Sequence, residues 1–163
     1  MKICVIGLGY VGLPLSIALS AHHMVVGYDI SSKRIEELKK DIDITNEVSK
    51  EDLITADIIF SNEKDDLAGS EVYIITVPTP VDEFKVPDLS FLKDASKLVG
   101  GYLNKGDLVI YESTVYPGVT EDFCLPILEE YSLLTRSDFH IGYSPERINP
   151  GDASRSIHDI CKV

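Results

Sequence analysis

The chain has 163 residues, 44% of them hydrophobic and 26% charged, which suffices for one globular domain with a proper core. A net charge of -12 excludes a nucleic-acid surface, which needs a basic stripe to displace condensed counterions. Cys4, Cys124 and Cys161 are scattered, odd in number and without metal-ligand spacing, so the sequence predicts a reducing, cytoplasmic setting with neither disulfides nor a metal.

Taken in order, short β-branched apolar runs alternate with helical patterns. Strands are predicted at Lys2–Ile6, Met24–Tyr28, Ile58–Ser61 and residues 72–76, 108–112 and 139–143. All six read as near-continuous apolar runs, as strands covered on both faces do. A helix is predicted over 10–20, and Ser31 is placed to cap another running to Leu38. Asp88 is predicted to cap a helix with Leu89, Leu92, Ala95 and Val99 on its apolar side, stopped by Gly100-Gly101. A last helix is expected from Pro117, with Val119, Phe123 and Ile127 as its buried stripe and a kink at Pro126. Residues 39–56 and 79–87 lack periodicity and read as loops or short helices. The alternation implies an α/β, doubly wound parallel sheet with helices on both faces.

The apolar run from Lys2 to Ala21 imitates a secretory signal, but Gly7, Gly9, Gly12 and Pro14 interrupt it and a strand resumes at Met24. No stretch is apolar and long enough to span a membrane. Cys161-Lys162-Val163 reads as the opening of a further strand, so the chain is expected to be part of a longer protein.

Gly7-Leu8-Gly9-Tyr10-Val11-Gly12 leaves the first strand and opens the first helix. Gly7 permits the tight turn, Gly9 bares the backbone to a pyrophosphate, and Gly12 lets helix and strand pack closely. The helix N-terminus adds unpaired N–H groups for the phosphates. Asp29 ends the second strand, where a carboxylate accepts ribose hydroxyls and repels a 2′-phosphate. Together these predict a Rossmann-type domain that binds NAD in preference to NADP. Arg34 leaves three readings open: a solvated helix residue, a receiver for a phosphate, or a group that stacks or pairs against NAD.

Two loops leave strands further on. Val77-Pro78-Thr79-Pro80 is either a rigid wall of a ligand site or a plain strand-ending turn. In Glu112-Ser113-Thr114-Val115, the hydroxyls either cap the next helix or orient a water and touch the nicotinamide side. Finally, Glu146 and Arg147 in Tyr143-Ser144-Pro145-Glu146-Arg147 suit acid–base and anion-binding roles, or a surface ion pair.

Four ordered blocks, GLGYVGLPL, VPTP, ESTVYPGVTE and YSPERINPGD, span Met1 to Asp152 and resemble the UDP-glucose/GDP-mannose dehydrogenase family. The last block looks most like the branch acting on UDP-N-acetylhexosamines for capsule or O-antigen synthesis. The resemblance implies oxidation of a sugar 6-hydroxyl to the acid, with two NAD reduced and a thioester on a catalytic cysteine, in a protein that commonly forms homodimers. It implies that Gly7, Gly9, Tyr10, Val11 and Gly12 form the dinucleotide loop, and that Asp29 and Arg34 contact the adenosine ribose. Val77 would also bind the cofactor, and Thr79, Ser113 and Thr114 would lie on the nicotinamide side, with Thr114 helping to hold a catalytic water. Glu146 would be the acid–base glutamate and, with Arg147, would contact the UDP-sugar substrate. The sequence departs from the UDP-glucose branch at Pro150, where an acidic residue stands in those relatives. The family's cysteine belongs downstream of Val163. Cys124-Leu125-Pro126 lacks the glycines of that motif, and Cys4 in the first strand reads as inert core. The isolated chain is thus expected to bind NAD without turnover. A stand-alone, non-catalytic dinucleotide-binding module also fits the glycine fingerprint, but it gives no use to Glu146-Arg147 or the ESTV block. A dehydrogenase of another Rossmann family, such as a hydroxyacid type, is supported by the first block alone.

Overall fold

The computed structural model describes residues 1–145 and 147. Six strands, β1 (Lys2–Ile6), β2 (Met24–Tyr28), β3 (Ile58–Ser61), β4 (Val72–Ile75), β5 (Leu108–Tyr111) and β6 (His140–Tyr143), form one sheet. All neighbours pair in parallel, in the order β3-β2-β1-β4-β5-β6. This is the doubly wound Rossmann-type arrangement, with its reversal of direction between β1 and β4. The strand predictions hold to within a residue at each end. Thr76 and Glu112 fall just outside β4 and β5, yet their N–H groups still bond Ile6 and Ile75 carbonyls at 2.9 and 2.8 Å.

Alternation along the strands divides the core in two. Ile3 and Val5 of β1 join Val25, Leu13, Ile35, Leu38 and Leu53 on one face. Cys4 and Ile6 join Tyr73, Ile75, Leu92, Val99 and Leu128 on the other. The first face is covered by α1 (Gly12–Ser20), α2 (Ser32–Leu38) and α3 (Lys50–Thr55), the second by α4 (Ser90–Gly100) and α5 (Leu125–Ser132). Each fully buried Leu or Val contributes about 1.5–3 kcal/mol, so apolar burial on both faces holds the layers together. Among the described residues no helix is long and apolar enough to cross a membrane.

The helices show where local signals were overridden. Helix α1 begins two residues later than predicted, because Tyr10 and Val11 complete the turn that starts at the glycines. Pro14 then falls in the first turn, where its missing N–H costs nothing. Ser31 caps α2 as expected, accepting from the Arg34 N–H. Asp88 is not itself the cap residue of α4: Leu89 holds that position, and Asp88 Oδ1 accepts from Ser90 N at 2.8 Å. Within 39–56, Ser49 caps α3 by accepting from Asp52 N.

The greatest difference follows Pro117. Gly118 reverses the chain at φ +93°, so Pro117 lies ahead of the helix and outside its first turn. Residues Val119–Cys124 then form a π-helical turn that passes into α5. The buried positions are Val119, Thr120, Cys124 and Leu128, whereas Phe123 and Ile127 are only half-buried. From Thr120 onward the inward stripe is displaced by one residue from the Val119-Phe123-Ile127 pattern. Pro126 sits in the first turn of α5, where it starts the α-helix and does not kink it. Gly100 ends α4 where α5 crosses: a Cβ there would come within 2.8 Å of the Tyr131 Cβ.

The turn leading to β6 carries an acid-sensitive contact. Asp138 accepts from Lys105 Nζ at 2.9 Å and from the N–H and hydroxyl of Thr135, which lowers its carboxyl pKa to about 2. A native pKa below the ordinary carboxylate value means this contribution is present above about pH 4 and is lost as pH falls towards 2. Thermal midpoints measured from pH 5 to pH 2 should therefore fall more steeply for the parent chain than for Asp138→Asn. Parallel curves would show that the Lys105–Asp138 contact carries no stability.

Candidate functional site

The carboxyl ends of β1, β2, β4 and β5 open into a cleft of about 980 Å³ beside the sheet's reversal point. One wall is the turn after β1. Gly7 adopts φ +95°, donates its N–H to Tyr28 O at 2.8 Å, and lies against the backbone of Thr76 and Val77. A Cβ on Gly12 would overlap both the Gly7 carbonyl and the Thr76 hydroxyl, so the close approach of α1 requires glycine there. The Thr76 hydroxyl donates to the carbonyls of Ile6 and Gly7, at 3.0 and 2.7 Å, and clamps the turn. Gly9 differs from both. A Cβ on it would meet nothing within 4 Å among the described residues, so their packing does not demand a glycine at this position.

Asp29 follows β2 and faces the cleft. Its Oδ2 accepts from Leu8 N and its Oδ1 from Ser31 N, each at 2.9 Å. A carboxylate has about four acceptor sites, so two bonds to the backbone leave capacity for a ligand's hydroxyls.

Arg34 does not lie on a solvated helix face, which overturns that reading. It is 7% exposed, and its Nε donates to Leu8 O at 2.9 Å. Its Nη2 pairs with Asp43 at 2.8 Å.

The other wall joins two loops. Ser113 Oγ donates to Val77 O, and Thr79 Oγ1 donates to Thr114 O, each at 2.6 Å. The VPTP and ESTV segments are thereby tied to one another across the cleft. Of the two readings of Ser113 and Thr114, capping of the next helix is set aside, since that helix begins at Val119 after Gly118. The cleft brings together Gly7, Gly9, Tyr10, Val11, Asp29, Val77, Thr79, Ser113 and Thr114. Gly12 and Arg34 stand behind its wall, supporting it. Arg147 is exposed, and Glu146 lies outside the described residues.

Sequence reasoning missed the contribution of α4. Phe91, Asp94 and Leu98 line the cleft. Their i, i+3, i+7 spacing makes a second stripe beside the buried Leu92-Ala95-Val99 face. It also missed the clamp from Thr76, whose only signal was its place as the last residue of a predicted apolar strand. Cys4 and Cys124 are buried and outside the cleft, and burial pushes their thiols up to about 12 and about 11, so neither supplies a thiolate. Among the described residues no group of three or more His, Cys, Asp or Glu is placed to hold a metal ion.

A positive-φ turn, a bare Gly9 and an acidic residue after the second strand, all at the reversal of a parallel sheet, now stand in one cleft. Residues 1–163 match the UDP-glucose/GDP-mannose dehydrogenase family, NAD binding domain. The chain belongs to that family. The UDP-N-acetyl-D-glucosamine 6-dehydrogenases of Pseudomonas aeruginosa and Salmonella typhi are 52% and 50% identical to it over 165 residues. Both alignments cover 100% of this chain and 39% of the relative, so the chain spans about two fifths of their length. The structure of a UDP-D-ManNAc dehydrogenase from Pyrococcus horikoshii superposes with a TM-score of 0.84 at 39% identity, covering 93% of this chain and 37% of that one. A ternary complex of GDP-mannose dehydrogenase from Pseudomonas aeruginosa gives 0.86 at 26% identity, with 98% and 38% covered. Within the family the chain stands close to the UDP-N-acetylhexosamine dehydrogenases.

The residues fit the dinucleotide that the family description names. Gly9 leaves a cradle that any side chain would fill, at the N-terminal end of α1. The glycines separate two roles. Gly12→Ala should lower unfolding stability by about 1–3 kcal/mol through overlap with backbone. Gly9→Ala should stay within about 0.5 kcal/mol of the parent, as surface changes do. Denaturant unfolding of both variants checks this, and equal losses would contradict the division.

Proposed function

We propose that this chain is the NAD-binding part of a longer nucleotide-sugar 6-dehydrogenase, which oxidises the 6-hydroxyl of a UDP-N-acetylhexosamine to a carboxylate. The observation that carries the reading is one cleft joining the open Gly9 cradle and the partly satisfied Asp29 carboxylate to the stitched Thr79–Thr114 loops. NAD, when bound, supplies the hydride acceptor. The backbone from Gly7 to Val11 meets its pyrophosphate, with Gly12 allowing α1 to come close enough. Asp29 accepts from the adenosine ribose hydroxyls, and Arg34 supports the same end from behind by holding the Leu8 carbonyl. Val77, Thr79, Ser113 and Thr114 border the nicotinamide end, where Thr114 helps to hold water. Glu146 serves as acid–base residue, and it and Arg147 meet the UDP-sugar.

The relatives' names support the substrate class, since several are dehydrogenases of UDP-N-acetylated sugars. The whole protein then acts as a cytoplasmic homodimer in capsule or O-antigen synthesis. Neither Cys4 nor Cys124 supplies the thiol nucleophile, because both are buried and unactivated.

Calorimetric titration of the chain with NAD and NADP tests the reading. NAD should bind more tightly than NADP, with no steady NADH formed from NAD and UDP-N-acetylglucosamine. Asp29→Ala should weaken NAD binding about 10- to 100-fold, the range for losing a charge-assisted hydrogen bond, and narrow the gap to NADP. Gly9→Ala should weaken NAD binding without unfolding the chain. No NAD binding by the parent, or unchanged selectivity in Asp29→Ala, would defeat the assignment.

A further inference from the structure

Behind the Asp29 end of the cleft lies a buried ion pair whose carboxylate, Asp43, the proposed chemistry does not use. Arg34 belongs to the first turn of α2, five residues after Asp29. A guanidinium near that position is what an NADP site uses to receive a 2′-phosphate. Here it is turned inward: Nη2 meets Asp43 at 2.8 Å, and the two side chains are only 8% and 2% exposed. Nε holds the Leu8 carbonyl, whose own N–H is held by Asp29. Nη1 is buried and has no hydrogen-bond partner among the described residues.

Asp43 is fixed as firmly as the arginine. Oδ1 accepts from Arg34 and from the N–H and hydroxyl of Thr45, at 3.0 and 2.7 Å for the latter two. Oδ2 accepts from Glu47 N and Val48 N, at 2.9 and 3.1 Å. The non-periodic segment after α2 is wrapped around one carboxylate. Burial pushes the Asp43 carboxyl up, but the bonds from Thr45, Arg34 and Val48 outweigh it and hold the group below its ordinary value. It is therefore charged at neutral pH, and the contact with Arg34 is ionic. A buried guanidinium stripped of this partner is strongly unfavourable where it stands, and turning towards water relieves it.

We propose that Asp43 is a specificity-determining residue for the dinucleotide, holding the Arg34 guanidinium away from the adenosine ribose so that it does not receive a 2′-phosphate there. This rests on the reading of the cleft as a dinucleotide site. Discrimination is then set twice: Asp29 repels the phosphate, and Asp43 removes the group that would attract it. Asp43 acts through Arg34 without touching the ligand, so it is a positioning residue. A variant that disturbs only the loop would change both affinities by one factor. Release of the guanidinium changes their ratio.

The experiment measures dissociation constants for NAD and NADP with the whole chain, in the parent, Asp43→Asn and the Arg34→Met/Asp43→Asn double variant. In Asp43→Asn the NAD-to-NADP preference should shrink by about tenfold, equivalent to about 1.4 kcal/mol. The double variant, with no guanidinium to release, should return to within about twofold of the parent's preference. An unmoved ratio in a folded Asp43→Asn overturns the proposal. Should that variant not fold, the double variant decides, because replacing a buried pair by neutral groups is better tolerated than breaking it. A parental ratio in it supports the proposal. Selective loss of NADP binding in it overturns the proposal, since the guanidinium would have been reaching the phosphate in the parent. Absence of NAD binding by the parent itself would instead defeat the underlying reading of the cleft.

Discussion

Between the turn after β1 and the first residue of α1 there is no room for a side chain, and the geometry of the cleft follows from that contact. Gly12 lies against the Gly7 carbonyl and the Thr76 hydroxyl, so α1 starts directly above the ends of β1 and β4. The same hydroxyl bonds the Ile6 and Gly7 carbonyls and locks neighbouring strands to the turn. The closeness also aims the N-terminal end of α1 at the space above Gly9, where the described residues place no atom within reach of a Cβ. Packing inside the protein thus produces the concavity that a ligand's phosphates can enter.

A chain of net charge -12 offers an anionic ligand no general attraction. What counts is local: aligned N–H groups at a helix start act over a few ångströms, whereas distant carboxylates are screened within about 8–10 Å at ordinary ionic strength. Near Asp29 the same logic works in reverse. The Arg34 guanidinium on the following helix is neutralised by Asp43 at 2.8 Å and shielded from solvent, so it adds little positive field beside Asp29.

Most of the fold was legible because strand pattern and burial agree. Both faces of the sheet are covered, so continuous apolar runs such as Lys2–Ile6 and Val72–Ile75 signal strands without ambiguity. The glycine turn and Asp29 were legible because their spacing answers to backbone geometry. Arg34 was not, because nothing local distinguishes a solvated arginine from one buried by a carboxylate nine residues on. That pairing depends on how residues 39–48 wrap, and the wrapping is driven by Asp43 itself. The helix after Gly118 was misjudged for a different reason. A π-helical turn spends an extra residue, so a stripe projected at 3.6-residue spacing from Val119 arrives one position early, at Phe123 in place of Cys124.

The two ends of the cleft are held by bonds of unequal permanence. At the Asp29 end, Leu8 is pinned on both sides, and one of its anchors is a buried ion pair. Opening it strands a charge away from water, so this end is pre-organised. At the other end the bond from Thr79 to the Thr114 carbonyl is exposed, and water replaces either partner at little cost. That end also spends its hydroxyl protons on backbone carbonyls, so what Thr79 and Ser113 keep for a ligand is acceptor capacity, unless the tie is opened. A ligand spanning the cleft therefore meets a rigid half at Asp29 and a half at Thr79 and Thr114 that adjusts with modest expense. The division suits a site in which one end must only hold while the other must accommodate a second molecule.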